Sequence, residues 1–225
     1  MNNFINITKL SKSFSQGKNK LNILNNVNLS IESGDNIALV GPSGCGKSTF
    51  LQIIGLLDKA DSGSINYLSN DYAKISDKKR TLFRRKHIGF IYQFHYLLPE
   101  FSAEENTMLP LIINGISPKK AKIASQKLLT SLGLSDRLQH KPNSLSGGEQ
   151  QRIAIARALI HQPTILLADE PTGNLDPENA NNVFELFFNE IKKRNQTTIV
   201  VTHNIELAKK FNKVITIKNG QIENF

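Results

Sequence analysis

Apolar positions along the chain follow two different periods. Runs rich in β-branched and aliphatic residues, typical of strands, occupy residues 4–10, 27–31, 36–40, 64–68, 87–92, 164–168, 197–201 and 214–218. Segments with helical spacing of apolar residues, or a basic helical composition, occupy residues 50–57, 76–87, 103–113, 118–132, 153–160 and 178–193. Strands that alternate with helices along a chain predict an α/β fold.

Two regions depart from this alternation and predict subdivisions of one domain that spans residues 1–225. Residues 4–10 and 27–31 flank a polar turn, which predicts an N-terminal antiparallel β subdomain. Residues 94–161 carry helical patterns, which predicts an α-helical subdomain inserted into a catalytic core of residues 1–93 and 162–225. An Asn-Gly turn near the carboxyl end predicts a closing hairpin, and the core sheet is expected to be mixed.

A glycine-rich segment lies between the strand at 36–40 and the helix at 50–57. It reads GPSGCGKST and matches the phosphate-binding pattern G-x-x-x-x-G-K-[ST]. Glycines let the backbone take positive φ and aim N–H groups at an anion, the lysine reaches the β and γ phosphates, and the serine hydroxyl is a ligand for Mg²⁺. The candidate nucleotide-binding residues, with Ser48 also a magnesium ligand, are Gly41, Pro42, Ser43, Gly44, Cys45, Gly46, Lys47, Ser48 and Thr49.

Polar side chains follow three of the predicted core strands. Asp169 and Glu170 come directly after one strand, and Gln93 and His203 follow two others. Because α/β sheets bind ligands at the carboxyl ends of their strands, we expect Asp169 to hold Mg²⁺ directly or through water, and Gln93 to contact the metal or a water. We expect Glu170 to accept a proton from, or to orient, the water that attacks the γ phosphate, and His203 to sense that phosphate. Taken alone, a histidine at such a position is more often structural.

A second pair of glycines precedes the apolar helix predicted at 153–160. In the segment LSGGEQQR, Ser146 is placed to cap that helix, and Gly147 and Gly148 leave its first N–H groups to face an anion. The alternative is an ordinary helix cap, which needs the serine but not the glycine pair. The segment therefore predicts a second phosphate-type site in the same chain.

Composition and charge narrow the class of protein. The 225 residues carry a formal net charge of +9, and the single cysteine, Cys45, excludes an internal disulfide. No apolar run is long enough to span a bilayer and no signal-peptide pattern is present, which predicts a cytosolic protein. The charge suits nucleic acid or an anionic membrane surface, but the lysines are scattered and no nucleic-acid motif accompanies them, so we predict no nucleic-acid binding.

These motifs, in this order and spacing, resemble the nucleotide-binding domain of an ABC ATPase over the whole chain. The resemblance rests on the phosphate loop, Gln93, LSGGEQQR, ILLADE at 165–170, GNLD at 173–176 and His203. It implies a P-loop NTPase of ABC type that binds ATP and Mg²⁺ and hydrolyses ATP, with Lys47, Glu170 and His203 as catalytic residues. It also places Asp176, at the end of GNLD, among the nucleotide-binding residues.

Phe14 occupies the position where this family usually carries a tyrosine, between the two N-terminal strands. Its ring either stacks on the adenine base or packs in the core, and the sequence alone leaves both readings open.

The family resemblance further implies a homodimer arranged head to tail. ATP would lie between the phosphate loop of one subunit and Ser146, Gly147 and Gly148 of the other. Such a dimer accounts for two anion sites that a single chain does not easily bring together.

Within the family, residues 89–111 and 168–176 are most similar to the ATPases of lipoprotein-releasing complexes in Gram-negative inner membranes. This implies a peripheral subunit at the cytoplasmic face of the inner membrane, which drives integral membrane subunits to release lipoproteins towards a periplasmic carrier. The rivals are ATPases of macrolide-type efflux or cell-division-associated complexes. A soluble ABC ATPase that acts on DNA or ribosomes is disfavoured, because such proteins usually carry two such domains or added modules.

An aromatic and aliphatic run follows Gln93. Tyr96, Leu97, Leu98 and Phe101 have neither a helical nor a strand period, so we expect some of them to form an exposed apolar patch. The family resemblance places here the groove for a membrane subunit's coupling helix. The alternative is that these side chains form the core of the helical region.

Overall fold

The computed structural model describes residues 4–17, 19–68 and 70–225. Its strands are β1 (Ile5–Gln16), β2 (Asn19–Ile31), β3 (Asn36–Val40), β4 (Ser62–Tyr67), β5 (Asn70–Asp71), β6 (Ile88–Ile91), β7 (Ile165–Asp169), β8 (Thr197–Val201), β9 (Lys213–Lys218) and β10 (Gln221–Asn224). Its helices are α1 (Lys47–Ile54), α2 (Asp77–His87), α3 (Ala103–Ile113), α4 (Pro118–Ser131), α5 (Gly147–Leu159), α6 (Pro177–Lys193) and α7 (Ile205–Ala208).

Internal contacts divide the chain into two compact units. The first unit is Met1–Arg84 with Gln196–Phe225, and the second unit is Arg85–Asn195. The subdivision into a catalytic core and a helical subdomain at 94–161 stays a prediction.

The first unit contains an antiparallel sheet in the order β2-β1-β4-β5. Side chains of a strand alternate between its two faces, and the face of β1 that carries Ile5 and Ile7 is buried. An irregularity in the pairing with β2 follows Ile7, so that Leu10 becomes the next buried residue. The predicted N-terminal antiparallel subdomain is confirmed, and its strands are longer than predicted because polar residues continue the pairing.

A mixed sheet in the first unit runs in the order β10-β9-β3-β8. β3 lies parallel to β8 and β9, and β10 returns antiparallel to β9 through the predicted Asn219-Gly220 turn. Every residue of β3 and of β8 is buried. Such uninterrupted burial is typical of parallel strands that are covered on both faces, and it confirms the predicted mixed α/β core.

In the second unit, β6 and β7 form a parallel pair, and the helices α3, α4 and α5 pack on one another. α6 packs on α5, and α6 carries a buried apolar stripe that includes Val183, Phe187 and Ile191. Pro177 stands at the first position of α6, where its missing N–H costs no hydrogen bond. Within the described part of the chain, none of the helices combines the length and apolar character that a membrane span requires.

The helices differ from the prediction in two places. α1 begins at Lys47 rather than at residue 50, so the lysine belongs to its first turn. It ends at Ile54, and the chain turns away at Leu56, which has a φ of 57°. The single turn α7 was not predicted because it is too short for a helical period, although Asn204 caps it by accepting a hydrogen bond from the Leu207 N–H (3.1 Å).

Candidate functional site

The phosphate loop joins the carboxyl end of β3 to α1. Gly41, Gly44 and Gly46 have φ angles of 144°, 79° and 105°, which confirms the predicted positive-φ turns. Position 46 also favours glycine for steric reasons, because a Cβ atom there would lie 2.8 Å from the Cγ2 atom of Ile23. Glycine at this position therefore lets the loop pack closely against β2.

Lys47 is buried inside this loop, with only 7% of its surface exposed. Its Nζ atom donates to the carbonyl oxygens of Gly41 (2.9 Å) and Pro42 (2.7 Å), which supply the polar partners that a buried ammonium needs. Ser48 and Thr49 follow in the first turn of α1, and no side chain caps that helix. A cation and uncapped helical N–H groups thus face the same loop, an arrangement that favours an anion.

His203 lies at the same edge of the mixed sheet as the phosphate loop. β3 and β8 are parallel neighbours with Leu39 opposite Val201, so both strands end at that edge. Gly41 and His203 each lie two residues beyond this pair. The side chain of His203 is exposed. Thr216 of β9 also lies beside the loop, which the sequence did not predict. Its hydroxyl oxygen would be 3.3 Å from a Cβ atom built on Gly41.

The second unit has a similar edge, made by β6 and β7. Ile91 lies opposite Ala168 in this parallel pair, and Gln93 and Glu170 each follow two residues later. A Cβ atom on Gly173 would lie 3.1 Å from Glu170 Oε2 and 3.2 Å from Gln93 Nε2. The structure therefore brings the predicted glutamine and glutamate to one point, next to a glycine that leaves room for both.

The backbone of Glu170 is strained. Its φ of 46° lies in the left-handed region, where a non-glycine residue costs about 1 to 3 kcal/mol and persists only if its surroundings hold it. The Gly173 N–H donates to the Glu170 carbonyl oxygen (3.0 Å) and closes the turn. Asp169 precedes it as the last residue of β7. Two successive carboxylates are thus positioned by a strand end and a tight turn.

Gln93 is oriented by a residue that the sequence analysis did not single out. Gln93 Nε2 donates to Asn174 Oδ1 (3.1 Å), and Asn174 Nδ2 donates to the Gln93 carbonyl oxygen (3.0 Å). Because its NH₂ group is engaged, Gln93 has its amide oxygen left for another ligand. Asn174 lies in the GNLD segment, and that motif was the signal in the sequence that could have identified it.

The segment LSGGEQQR starts α5 with a capping box. Ser146 Oγ accepts a hydrogen bond from the Glu149 N–H (3.3 Å), and the Glu149 carboxylate accepts one from the Ser146 N–H (2.7 Å). The Ser146 N–H, assisted by the Arg137 guanidinium at 2.9 Å, holds the pKa of Glu149 below its usual value. The cap uses the oxygen of Ser146 and leaves its hydroxyl proton to donate elsewhere.

Gly147 and Gly148 form the first turn of α5. A Cβ atom on Gly147 would lie 3.3 Å from Leu175, so this position is crowded. The Gly147 carbonyl oxygen lies 3.0 Å from His95 Nε2, and burial lowers the pKa of His95, which favours its neutral form. The start of α5 is therefore held by contacts within the second unit.

Asp176 and Phe14 lie at the surface. Asp176 caps α6 by accepting hydrogen bonds from Asn179 N (3.1 Å) and Nδ2 (2.7 Å), and these bonds lower its pKa. Phe14 on β1 is exposed, with Lys12 Nζ 5.0 Å from its ring centre. The alternative that Phe14 packs in the core is wrong, because its side chain is exposed, and Lys12 lies over one face of the ring.

The residues predicted for Mg²⁺ offer oxygen atoms of three kinds. Ser48 provides a hydroxyl, Asp169 a carboxylate, and Gln93 the amide oxygen that its bond to Asn174 leaves available. Mg²⁺ prefers oxygen ligands and usually takes one or two from protein and the others from phosphate and water. Each of these oxygen atoms is thus of a kind that Mg²⁺ accepts as a ligand.

Four aromatic and aliphatic side chains are exposed after β6. Tyr96 and Phe94 are the most exposed, at 65% and 60% of their surface. We call the four side chains Phe94, Tyr96, Leu98 and Phe101 the exposed aromatic patch. Leu97 is partly buried. The alternative that this segment forms the core of the helical region is wrong, and Phe94 is a member of the patch that the sequence analysis missed.

Comparison with known proteins identifies the family. The family model described as ABC transporter matches residues 24–173. The lipoprotein-releasing system ATP-binding protein LolD of Zymomonas mobilis subsp. mobilis is 48% identical over 221 residues, which cover 98% of this chain and 95% of that protein. LolD of Legionella pneumophila (strain Paris) is 48% identical over 214 residues, which cover 95% and 94%.

Among solved structures, the ATP-binding cassette MJ0796, in a dimeric post-hydrolysis state bound to ADP and Pi, is 36% identical. It superimposes with a TM-score of 0.89, and the match covers 98% of each chain. The chain therefore belongs to the ABC transporter family and, within it, to the group of lipoprotein-releasing ATP-binding proteins called LolD.

Proposed function

We propose that this ABC ATPase is the ATP-hydrolysing subunit of an inner-membrane complex that releases lipoproteins towards a periplasmic carrier. The observation that carries the proposal is the 48% identity to a lipoprotein-releasing ATP-binding protein over 98% of the chain. In this role it works as a peripheral subunit at the cytoplasmic face of the membrane. Binding and hydrolysis of ATP belong to the family, whereas the cargo is part of the proposal.

The phosphate loop binds the β and γ phosphates of ATP. Lys47 exchanges the carbonyl oxygens of Gly41 and Pro42 for phosphate oxygens, and hydrogen bonds to charged acceptors are roughly twice as strong as neutral ones. The N–H groups of the loop and of the first turn of α1 add further donors. Phe14 stacks on the adenine with its exposed ring face.

The remaining residues act at the γ phosphate. Ser48, Gln93 and Asp169 would hold Mg²⁺, and the ion would supply positive charge to the phosphates. Glu170 takes a proton from the attacking water, and its strained turn fixes where that carboxylate points. His203 contacts the γ phosphate from the edge of the mixed sheet.

A head-to-tail homodimer completes each site. The hydroxyl proton of Ser146 and the first N–H groups of α5, at Gly147 and Gly148, face the phosphates bound by the partner, and Asp176 lies on the same interface. The capping box supports this assignment because it leaves that proton uncommitted. A solved relative with a TM-score of 0.89 is described as dimeric and bound to ADP and Pi.

The exposed aromatic patch receives the coupling helix of a membrane subunit. Exposed apolar side chains in this number mark an interaction site. The segment is well positioned, because Arg157 donates hydrogen bonds to the carbonyl oxygens of His95 and Tyr96, both at 2.7 Å. A fixed backbone lowers the entropy cost of binding and suits a helix-in-groove contact.

Leu98→Glu and Phe101→Glu test this docking site. Each variant is expected to stay folded and to bind ATP, because these side chains are exposed, and to lose copurification with the membrane subunits, because a charge enters an apolar interface. Leu57→Glu, at an exposed leucine outside the patch, is the matched control. Normal copurification by both patch variants would show that the partner docks elsewhere.

Cys45 reports on occupation of the phosphate loop. Its side chain is half-buried, with Sγ 3.9 Å from Lys47 Nζ. We expect maleimide to label Cys45 in nucleotide-free protein, and ATP to block the reaction by covering the loop. Intact-protein mass spectrometry measures the adduct, with Cys45→Ser as the control because it removes the sole thiol. Labelling that is slow and indifferent to ATP would mean that the thiol is an inert packing group.

The cargo is tested by reconstitution with the membrane subunits that copurify with this chain. ATP is expected to release acylated lipoproteins from proteoliposomes to a soluble carrier, and a complex with Glu170→Gln is expected to release none. ATP-driven export of a macrolide without any lipoprotein release would refute the proposed function.

A further inference from the structure

The carboxyl-terminal half of α3 is apolar on every side. All residues at 108–113 are apolar and none of them is buried. Ile112 and Ile113 are exposed, the latter at 57%, and Ile116 is exposed in the turn that leads to α4. Exposed isoleucines this close together, beside partly buried apolar residues, are unfavourable in water and indicate a surface that is covered in use.

Lysines surround the next exposed isoleucine, on α4. Ile123 is 61% exposed, and its helical neighbours three or four positions away include Lys119, Lys120 and Lys127, all exposed. We call the surface around the α3–α4 turn the isoleucine–lysine face; it consists of Ile112, Ile113, Ile116, Lys119, Lys120 and Ile123.

The charge around this face has one sign. Residues 106–134 contain lysines but no aspartate or glutamate. Asn114 Nδ2 donates to the Arg85 carbonyl oxygen (3.0 Å), so the basic end of α2, with Arg85 and Lys86 exposed, adjoins the turn. The nearby acid Glu104 is buried and bonded to Gln126 (2.9 Å) and Lys122 (3.5 Å). The cations of this face therefore point to an anionic partner.

We propose that the isoleucine–lysine face rests on an anionic lipid surface. Aliphatic side chains enter the boundary between headgroups and acyl chains, and lysines contact lipid phosphates, which is how peripheral amphipathic segments bind membranes. Nucleic acid offers the same phosphates but would use aromatic stacking or hydrogen-bonding side chains in place of isoleucines. The exposed isoleucines therefore favour an anionic membrane over nucleic acid as the partner of this face.

Cosedimentation of the purified chain with vesicles tests the proposal. We expect binding to vesicles of phosphatidylcholine and phosphatidylglycerol and little binding to phosphatidylcholine alone. Since each lysine near an anionic surface contributes about fivefold, the double variant Lys119→Gln/Lys120→Gln should weaken binding about 30-fold. Ile113→Ser/Ile116→Ser should weaken it about tenfold or more, because the inserted apolar area is lost.

Matched controls separate this face from the general positive charge. Lys9→Gln/Lys218→Gln removes two exposed lysines elsewhere and should change vesicle binding by less than the Lys119/Lys120 pair. ATPase activity of each variant reports folding. Three outcomes would each overturn the proposal: equal losses for both lysine pairs, vesicle binding unaffected by the isoleucine variant, or loss of membrane-subunit copurification with vesicle binding unchanged. Binding of an RNA oligonucleotide in place of vesicles through the same residues would overturn it as well.

Discussion

Glu170→Gln is expected to lower ATP turnover by about a hundredfold or more, the contribution of a positioned general base, while ATP binding stays intact. Glutamine keeps the shape of the side chain but does not accept the proton of the attacking water. The turn that holds residue 170 at a φ of 46° is made by a backbone hydrogen bond, so the substitution leaves it in place. ATP should then trap the head-to-tail dimer, which light scattering measures.

The control for this variant is Glu178→Gln, which removes an exposed carboxylate from the first turn of α6. It should hydrolyse ATP at the unmodified rate. If Glu170→Gln did the same, Glu170 would have no part in the chemistry, and the strained turn would need another explanation.

Lys47→Ala is expected to weaken ATP binding itself, by about ten- to a hundredfold, because hydrogen bonds from a cation to phosphate are lost. Isothermal titration calorimetry gives the affinity without turnover. The substitution also removes the bonds from Nζ to the carbonyl oxygens of Gly41 and Pro42, so the nucleotide-free loop should loosen. Faster hydrogen exchange of the loop N–H groups would report that change.

Lys47→Met separates loss of the ammonium group from loss of packing, since it keeps a buried apolar side chain and removes the charge together with the hydrogen bonds of Nζ. It should bind ATP as poorly as Lys47→Ala, and Lys218→Ala, at an exposed lysine of β9, should bind ATP normally. An ATP affinity unchanged by either substitution at Lys47 would refute the assignment of the phosphate loop.

The sequence by itself determined the local features of this protein. Glycine spacing predicted the positive φ angles of the phosphate loop, since few other residues adopt them without strain. Unbroken apolar runs predicted β3, β7 and β8, and the residues placed directly after those runs predicted the strand-end candidates. Ser146 predicted the start of α5 through its cap. Each inference depends on residues that are neighbours in the chain, which is why it needed no tertiary structure.

Only the tertiary structure decided features that depend on distant parts of the chain. Phe14 and the exposed aromatic patch are open to solvent because little packs against them, and the packing around a side chain cannot be read from composition. The bond between Gln93 and Asn174 joins residues 81 positions apart, and the register of β3 and β8 places His203 beside the phosphate loop. Burial and long-range pairing are properties of the packed chain, because the partner of a side chain is set by the fold and not by its neighbours in sequence.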